Sequence, residues 1–288
     1  MATPRSRYRP DAPPDYGHRF HAGNVGDVWK HCVLVTLLRR AAERAGHVAY
    51  LDTHAGEGSY PLLPTGEWTE GIGRLWEVDA GADSAVAFYL AHVRRLAVGT
   101  RRPDTYPGSP ALARAVLGPG ASLDLWEHDP RALERLRAGL SDGASTRCRA
   151  DDGVTALLAA LRAAHADAAV ALVDPPYSQK SDWSTVPAAV IEAAAGAPRA
   201  SLLLWYPVKS LTRPNAMIAA FQKAGVGGTI VELVTTPLEH QRHRLNGSGM
   251  LLVRPPAGTL DAVAAAAAVI GPRCATRGDA WSFRMVSW

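Results

Sequence analysis

Near the middle of the chain an apolar run ends in Leu172-Val173-Asp174-Pro175-Pro176-Tyr177. Two successive prolines fix the backbone and remove two amide donors, leaving the Asp174 carboxylate and the Pro175 carbonyl as acceptors at the end of a strand. Two acceptors facing one way suit the two hydrogens of an exocyclic aromatic amine. Such an amine is a poor nucleophile because its lone pair is delocalised into the ring, and accepting both hydrogens helps to localise that pair on nitrogen. Tyr177 then offers a face for a base to stack on, worth roughly 1–3 kcal/mol per base. An ordinary proline turn after a strand is the competing reading.

Three other strand ends carry polar groups. After Val48–Leu51 comes Asp52-Thr53-His54-Ala55-Gly56-Glu57-Gly58, whose glycines would let backbone pass close to a cofactor, as would any tight strand-to-helix turn. After Ser122–Trp126, Glu127 could hold the two hydroxyls of a ribose, or stand idle beside a helix cap at Asp129. After the more polar run Ser145–Ala150, Asp151-Asp152-Gly153 could accept from an adenine amino group or simply cap the next helix.

The elements that must position these groups alternate. Apolar runs at 48–51, 122–126, 168–173, 200–205, 229–234 and 250–253 are separated by helical stretches at 130–140, 153–164, 186–195 and 215–224. Buried strands alternating with helices predict an α/β fold with a mostly parallel sheet. The last two runs are joined by a short segment with the turn-rich Asn246-Gly247-Ser248-Gly249, which predicts one reversed strand. In open sheets of this kind ligands bind beyond the carboxyl ends of the strands, where the topology changes direction. Before the first strand, Val25, Val28, Trp29, Cys32, Val33 and Leu37 recur at helical spacing behind Asn24 and Asp27, predicting an amphipathic helix that ends near Gly46. The interval from Gly58 to Ser122 is roughly double what a single crossover needs, so residues 61–105, with a helical stretch at 84–98, read as a small helical insertion.

The chain has 288 residues, 47% hydrophobic and 20% charged, which excludes wholesale disorder and collagen-like repeats. No apolar stretch approaches the roughly 20 residues of a membrane span, and the polar start lacks the apolar core of a signal peptide. Residues 1–15 hold four prolines and almost nothing apolar, and read as a disordered tail before a domain spanning 16–288. Three distant cysteines form neither a disulfide framework nor a zinc pattern, and the widely spaced histidines support no metal site, so a cytoplasmic protein without metal or membrane partner is expected. Net charge is +4, but residues 1–44 carry +4, 45–198 carry −6 and 199–288 carry +6. Basic ends, including Arg242, His243 and Arg244, could hold a polyanion while the acidic centre supplies site chemistry.

The Asp-Pro-Pro-Tyr motif resembles that of amino-group methyltransferases acting on adenine, cytosine or glutamine. With Tyr16-Gly-His-Arg-Phe-His-Ala-Gly-Asn24, Asp27-Val-Trp-Lys-His31, Leu51-Asp-Thr-His-Ala-Gly56, Tyr106-Pro-Gly-Ser-Pro110 and Leu204-Trp-Tyr-Pro207, the chain from Tyr16 onward resembles the 23S ribosomal RNA adenine-N6 methyltransferase J family. The resemblance implies a Rossmann-like class I methyltransferase fold, S-adenosyl-L-methionine as cofactor and 23S ribosomal RNA as partner. It also implies cofactor contacts at His31, His54, Ser109, Glu127, Asp152 and Gly153, and Asp174 as the catalytic residue, itself beside the cofactor. Tyr16 is placed near the RNA, with Lys30, Pro175 and Tyr177 also on the substrate side, and a monomer is expected. A DNA adenine or protein glutamine methyltransferase sharing the motif is the alternative. Three departures stand: His54 occupies a position that is glycine in the generic cofactor loop, the arginine- and proline-rich extension before Tyr16 is not part of the family pattern, and Lys209 maps to nothing in it.

Overall fold

The computed structural model describes residues 19–97, 102–140, 145–239, 245–278 and 280–288. The expected tail at 1–15, Tyr16, and Arg242, His243 and Arg244 lie outside them.

Helix α1 (Val25–Ala42) opens the described chain, capped by the Asn24 side chain, which accepts from the Asp27 amide. The sequence predicts an amphipathic helix, yet α1 is buried nearly all round, with Val28, Trp29, Val33, Leu34, Leu37 and Leu38 each 0% exposed. It is wrapped by strand β9 (Gly247–Val253) and by helices α3 (Ala85–Leu96), α4 (Ser109–Leu117) and α9 (Thr259–Cys274). Each fully buried side chain of this size contributes about 1.5–3 kcal/mol. Such a helix also carries Lys30 and His31 into the interior, and buried polar groups need partners.

The main sheet holds β1 (Val48–Asp52), β4 (Ser122–Trp126), β5 (Thr146–Arg149), β6 (Ala168–Val173), β7 (Ala200–Val208), β8 (Thr229–Val234), β9 and β10 (Ser282–Ser287). Their order is β10-β8-β9-β7-β6-β1-β4-β5, with β5, β4, β1, β6 and β7 all parallel. The expected reversed strand is β9, which pairs antiparallel with both β7 and β8. Strand β10, not anticipated from the sequence, adds a second reversed strand at the edge beside β8.

Strand β9 begins inside the segment expected to turn. Gly249 pairs with Tyr206, and a side chain there would meet the Tyr206 ring at 2.3 Å. That glycine serves a close approach within the sheet, not a turn. The chain steps from β1 outward to β4 and β5, then returns to β6 on the other side of β1, so the direction changes between β1 and β6.

Residues 61–105 run between two short strands, β2 (Ser59–Pro61) and β3 (Thr105–Pro107), which pair antiparallel. Between them lie a 3-10 turn at Glu67–Thr69, the short helix α2 (Ile72–Leu75) and α3. Val86, Tyr89, Leu90 and Val93 of α3 join the same apolar cluster as α1. Helices α5 (Pro130–Gly139) and α6 (Gly153–Ala163) follow β4 and β5, α7 (Asp182–Gly196) follows β6, and α8 (Thr212–Lys223) follows β7. Two apolar clusters result, one on each face of the sheet.

Candidate active site

A cleft of about 2010 Å³ opens at the carboxyl ends of β1, β4, β5, β6 and β7. Single-ligand pockets usually measure about 300–1,000 Å³, so this one has room for a cofactor and a substrate group together. Ten carboxylate side chains but only three from lysine or arginine line it, in a chain whose net charge is positive.

The loop after β1 is held from below. Asp52 is 0% exposed, and its Oδ2 accepts from the Tyr50 hydroxyl at 2.7 Å and the Ser109 hydroxyl at 2.6 Å. Its Oδ1 accepts from the His54 amide at 3.2 Å. Burial pushes the Asp52 carboxyl above its ordinary pKa, while these donors work the other way. The sequence motif contained Asp52 without a role; burial, which no local pattern reveals, makes it the anchor of the loop. The glycines of that loop act differently from expectation. Gly56 has φ +63°, and a side chain there would lie 1.9 Å from the Tyr60 hydroxyl, so the turn is set by packing within the protein.

Glu127, after β4, accepts from the Gly56 amide at 2.8 Å and from the Asp129 amide at 2.7 Å. It thereby ties the first two strand ends together, and each oxygen keeps lone-pair capacity for a further donor. Asp152 caps α6 through Oδ1, which accepts from the Val154 and Thr155 amides. The capping role and a place on the cleft wall are therefore compatible. Any side chain on Gly153 would meet Thr53 backbone and Trp126 at 2.7 Å.

On the far wall, Asp174 directly follows β6. Its Oδ2 lies 2.6 Å from Lys30 Nζ, which also lies 2.9 Å from Asp27 Oδ1. Burial disfavours the ammonium, but the two carboxylates outweigh it and hold the Lys30 pKa well above its ordinary value. Lys30 and Asp27 stand one helical turn apart, a spacing that would have suggested their pairing, whereas the partner 144 residues away could not be read locally. Tyr177 adopts φ +48°, which is uncommon for a bulky residue. It is held there by its hydroxyl, which donates to the Trp205 carbonyl at 3.0 Å, and by the Trp183 ring at 4.4 Å. The sequence did not single out Trp183 and carried Trp205 only as part of a motif without a role, yet both line the cleft beside Tyr177.

His31, 3% exposed, reaches the cleft from α1 with its Nδ1 2.8 Å from the Tyr106 hydroxyl. Burial, helped by the nearby Lys30 charge, holds its pKa down to about 3. His54 Nδ1 lies 2.8 Å from the Thr53 hydroxyl. The structure thus brings His31, His54, Ser109, Glu127, Asp152, Gly153, Asp174, Lys30, Pro175 and Tyr177 to one cleft. Tyr16 lies outside the described residues. Lys209, unmapped in the sequence, sits at the end of β7 on the cleft rim.

Five parallel strands, a sixth in the same direction, and a reversed strand inserted between the last two, with the cleft at the switch point, define a class I methyltransferase fold. The family model described as ribosomal RNA large subunit methyltransferase D, RlmJ, matches residues 45–286, and the chain belongs to that family. Two proteins named ribosomal RNA large subunit methyltransferase J, from Haemophilus influenzae and Escherichia coli, are 33% and 34% identical to it over 248 and 249 residues. Each alignment covers 84% of this chain and 87% of the relative. A crystal structure of a protein from Legionella pneumophila shares the fold, with a TM-score of 0.82 at 24% identity over 93% of this chain and 98% of that one.

Proposed function

We propose that the chain transfers a methyl group from S-adenosylmethionine to the N6 amino group of an adenine in 23S ribosomal RNA. Membership of the family and the names of the two relatives support methyl transfer to large-subunit ribosomal RNA. The observation that carries the finer reading is Asp174, which lines the cleft next to Pro175 with one carboxylate oxygen held by Lys30.

The donor set fits the cofactor. Glu127 keeps acceptor capacity for ribose hydroxyls, His31 and His54 offer ring nitrogens to its polar groups, and Asp152 with Gly153 forms the wall suited to its adenine. Ser109 spends its hydrogen on Asp52, so it meets a ligand through its lone pairs. The acidic lining suits a cation. S-adenosylmethionine, when bound, supplies a methyl group already activated by the positive charge on its sulfur.

The protein's task is then position. Asp174 and the Pro175 carbonyl accept the two amine hydrogens, and Lys30 fixes the rotamer of the carboxylate. Holding reactants in line in this way is worth roughly 7–11 kcal/mol. As positive charge develops on the amine nitrogen, the Asp174 carboxylate lies next to it. Tyr177, held by Trp183 and Trp205, borders the space the base must occupy. Adenine has to leave its stack to enter, which costs a few kcal/mol and favours looped or single-stranded RNA.

The test is labelled methyl transfer to ribosomal RNA, DNA and protein fractions, followed by mapping of N6-methyladenine in ribosomal RNA from cells with and without the protein. Loss of one N6-methyladenine from 23S RNA is expected. Incorporation only into DNA or protein would overturn the reading.

A further inference from the structure

Besides Glu67, which lines the cleft directly, the segment at 61–105 reaches the cleft through a buried hydrogen-bonded chain. Tyr89 of α3 and Tyr106 of β3 place their hydroxyls 2.9 Å apart, and the Tyr106 hydroxyl lies 2.8 Å from Nδ1 of His31 on α1. Both tyrosines are 0% exposed. The His31 and Tyr106 rings stack at 5.5 Å with an interplanar angle of 24°, which fixes the plane of the imidazole.

The direction of this chain follows from hydrogen counting. Among the described residues the Tyr89 hydroxyl has no partner other than Tyr106. Its hydrogen therefore goes to the Tyr106 oxygen, and the Tyr106 hydrogen goes to His31 Nδ1. In the opposite direction Nδ1–H would donate to Tyr106 and Tyr106 to Tyr89, leaving the hydrogen of the fully buried Tyr89 hydroxyl without an acceptor among the described residues. A buried donor without an acceptor is disfavoured. Nδ1 is thus an acceptor, and a neutral imidazole with an accepting Nδ1 carries its hydrogen on Nε2. His31 Nε2 makes no hydrogen bond with another described residue and is not among the sealed, unpartnered atoms, so it opens on the cleft that His31 lines.

We propose that Tyr89 and Tyr106 lock His31 as the Nε2–H tautomer, making it an uncharged hydrogen-bond donor to an acceptor oxygen of the bound ligand. A carboxylate, hydroxyl or ether oxygen fits such a donor; an ammonium or amide hydrogen does not. The tyrosines are positioning residues, since neither lines the cleft and each acts only through His31. Because burial and Lys30 hold the imidazole neutral, the donor keeps one form through the physiological pH range. The ligand half of the proposal rests on the cleft being the S-adenosylmethionine site; the tautomer half does not.

Long-range proton–nitrogen correlation spectra of the full chain with 15N-labelled histidine test it, the His31 signals being those absent from His31→Gln. A protonated Nε2 and a bare, hydrogen-bonded Nδ1, unchanged between about pH 6 and 8, are expected. A protonated Nδ1 in the wild-type chain overturns the proposal. In Tyr106→Phe the Nδ1 signal should move to that of a nitrogen without a hydrogen bond. Calorimetry with S-adenosylmethionine should then show about tenfold weaker binding, or about 1.4 kcal/mol. In Tyr89→Phe both directions of the remaining bond become available, and a second tautomer should emerge with a smaller loss of affinity. Affinity unchanged in both variants removes the positioning role. No binding to the wild-type chain, with the tautomer as described, overturns the cofactor reading and the ligand half while leaving the lock itself standing.

Discussion

Lys30 Nζ stands 2.6 Å from Asp174 Oδ2, bringing the second turn of α1 onto the end of the fourth parallel strand in chain order. Lys30 has a second carboxylate, Asp27, at 2.9 Å, so the two acidic groups depend on it more than it depends on either. Removing Asp174 leaves a paired Lys30, whereas removing Lys30 leaves two carboxylates without their counter-charge.

The two substitutions are therefore expected to separate chemistry from stability. Asp174→Ala should lower kcat by at least about 10²–10³-fold, the scale of losing an oriented electrostatic group at the reacting centre. Its melting temperature and its affinity for S-adenosylmethionine should stay close to wild type. Lys30→Met should lose turnover and also about 3–5 kcal/mol of stability, the usual cost of breaking a buried ion pair from one side. Turnover assays with calorimetry and denaturant unfolding decide this. Retained turnover in Asp174→Ala would sink the assignment of that residue.

Lys209 at the end of β7 and Arg213 in the first turn of α8 are exposed and stand on the cleft rim, Arg213 lying 5.5 Å over the Trp183 ring. The cleft behind them is acidic, so phosphates are favoured at the rim while the base enters. Lys209→Ala with Arg213→Ala should weaken RNA binding and reduce its salt slope by about 1.4, the value for two phosphate contacts on a single strand. Cofactor affinity should be unchanged. Filter binding across a salt series measures both, and an unaltered slope would remove these residues from the RNA path.

Much of this was legible locally. Asn24, Asp129 and Asp152 announce helix starts because capping involves neighbours two or three residues away. The strand ends at Asp52, Glu127 and Asp174 are readable because buried parallel strands are short, apolar and sharply bounded. Long-range pairing was not legible. Strand β10 contains Ser282, Arg284 and Ser287 and is mostly exposed, so it lacks the apolar signature of a core strand and exists through pairing with β8. The all-round burial of α1 depends on α3, α4 and α9 packing against it, which no period in its own sequence encodes. The Tyr106 hydroxyl meets His31 across 75 residues, and only the closure of β2 on β3 brings it there.

The depressed pKa of His31 has a consequence for stability. At about 3 in the folded chain against 6.5 as the ordinary value, the unfolded chain binds more protons throughout that window. Stability therefore rises with pH across it, and falls as pH drops below about 6.5 until the folded pKa is passed. His31→Gln removes this term. The melting temperature of the wild-type chain relative to His31→Gln should fall between pH 7 and pH 5, measured by calorimetry in matched buffers. A constant difference would mean that His31 binds protons alike in the folded and unfolded chains, its pKa not depressed by folding.

Arg284 of β10 reaches across to Glu232 of β8, with Nε 2.6 Å from one carboxylate oxygen and the second guanidinium arm 3.1 Å from the other. Glu232 is 1% exposed and also accepts from the Tyr206 hydroxyl at 2.8 Å. Tyr206 packs in turn on Trp183, and Trp183 on Tyr177, so the edge strand supports the aromatic wall of the cleft through a continuous line of contacts. Arg284→Met leaves a buried carboxylate unpaired and should cost about 3–5 kcal/mol. Glu232→Gln with Arg284→Met removes the charge as well and should recover a substantial part of that loss, because the Tyr206 hydroxyl can still donate to the amide oxygen. Denaturant unfolding of the two variants gives the comparison. Wild-type stability in Arg284→Met would show that the strand is held by its backbone pairing alone, and would disconnect the carboxyl-terminal edge from the site.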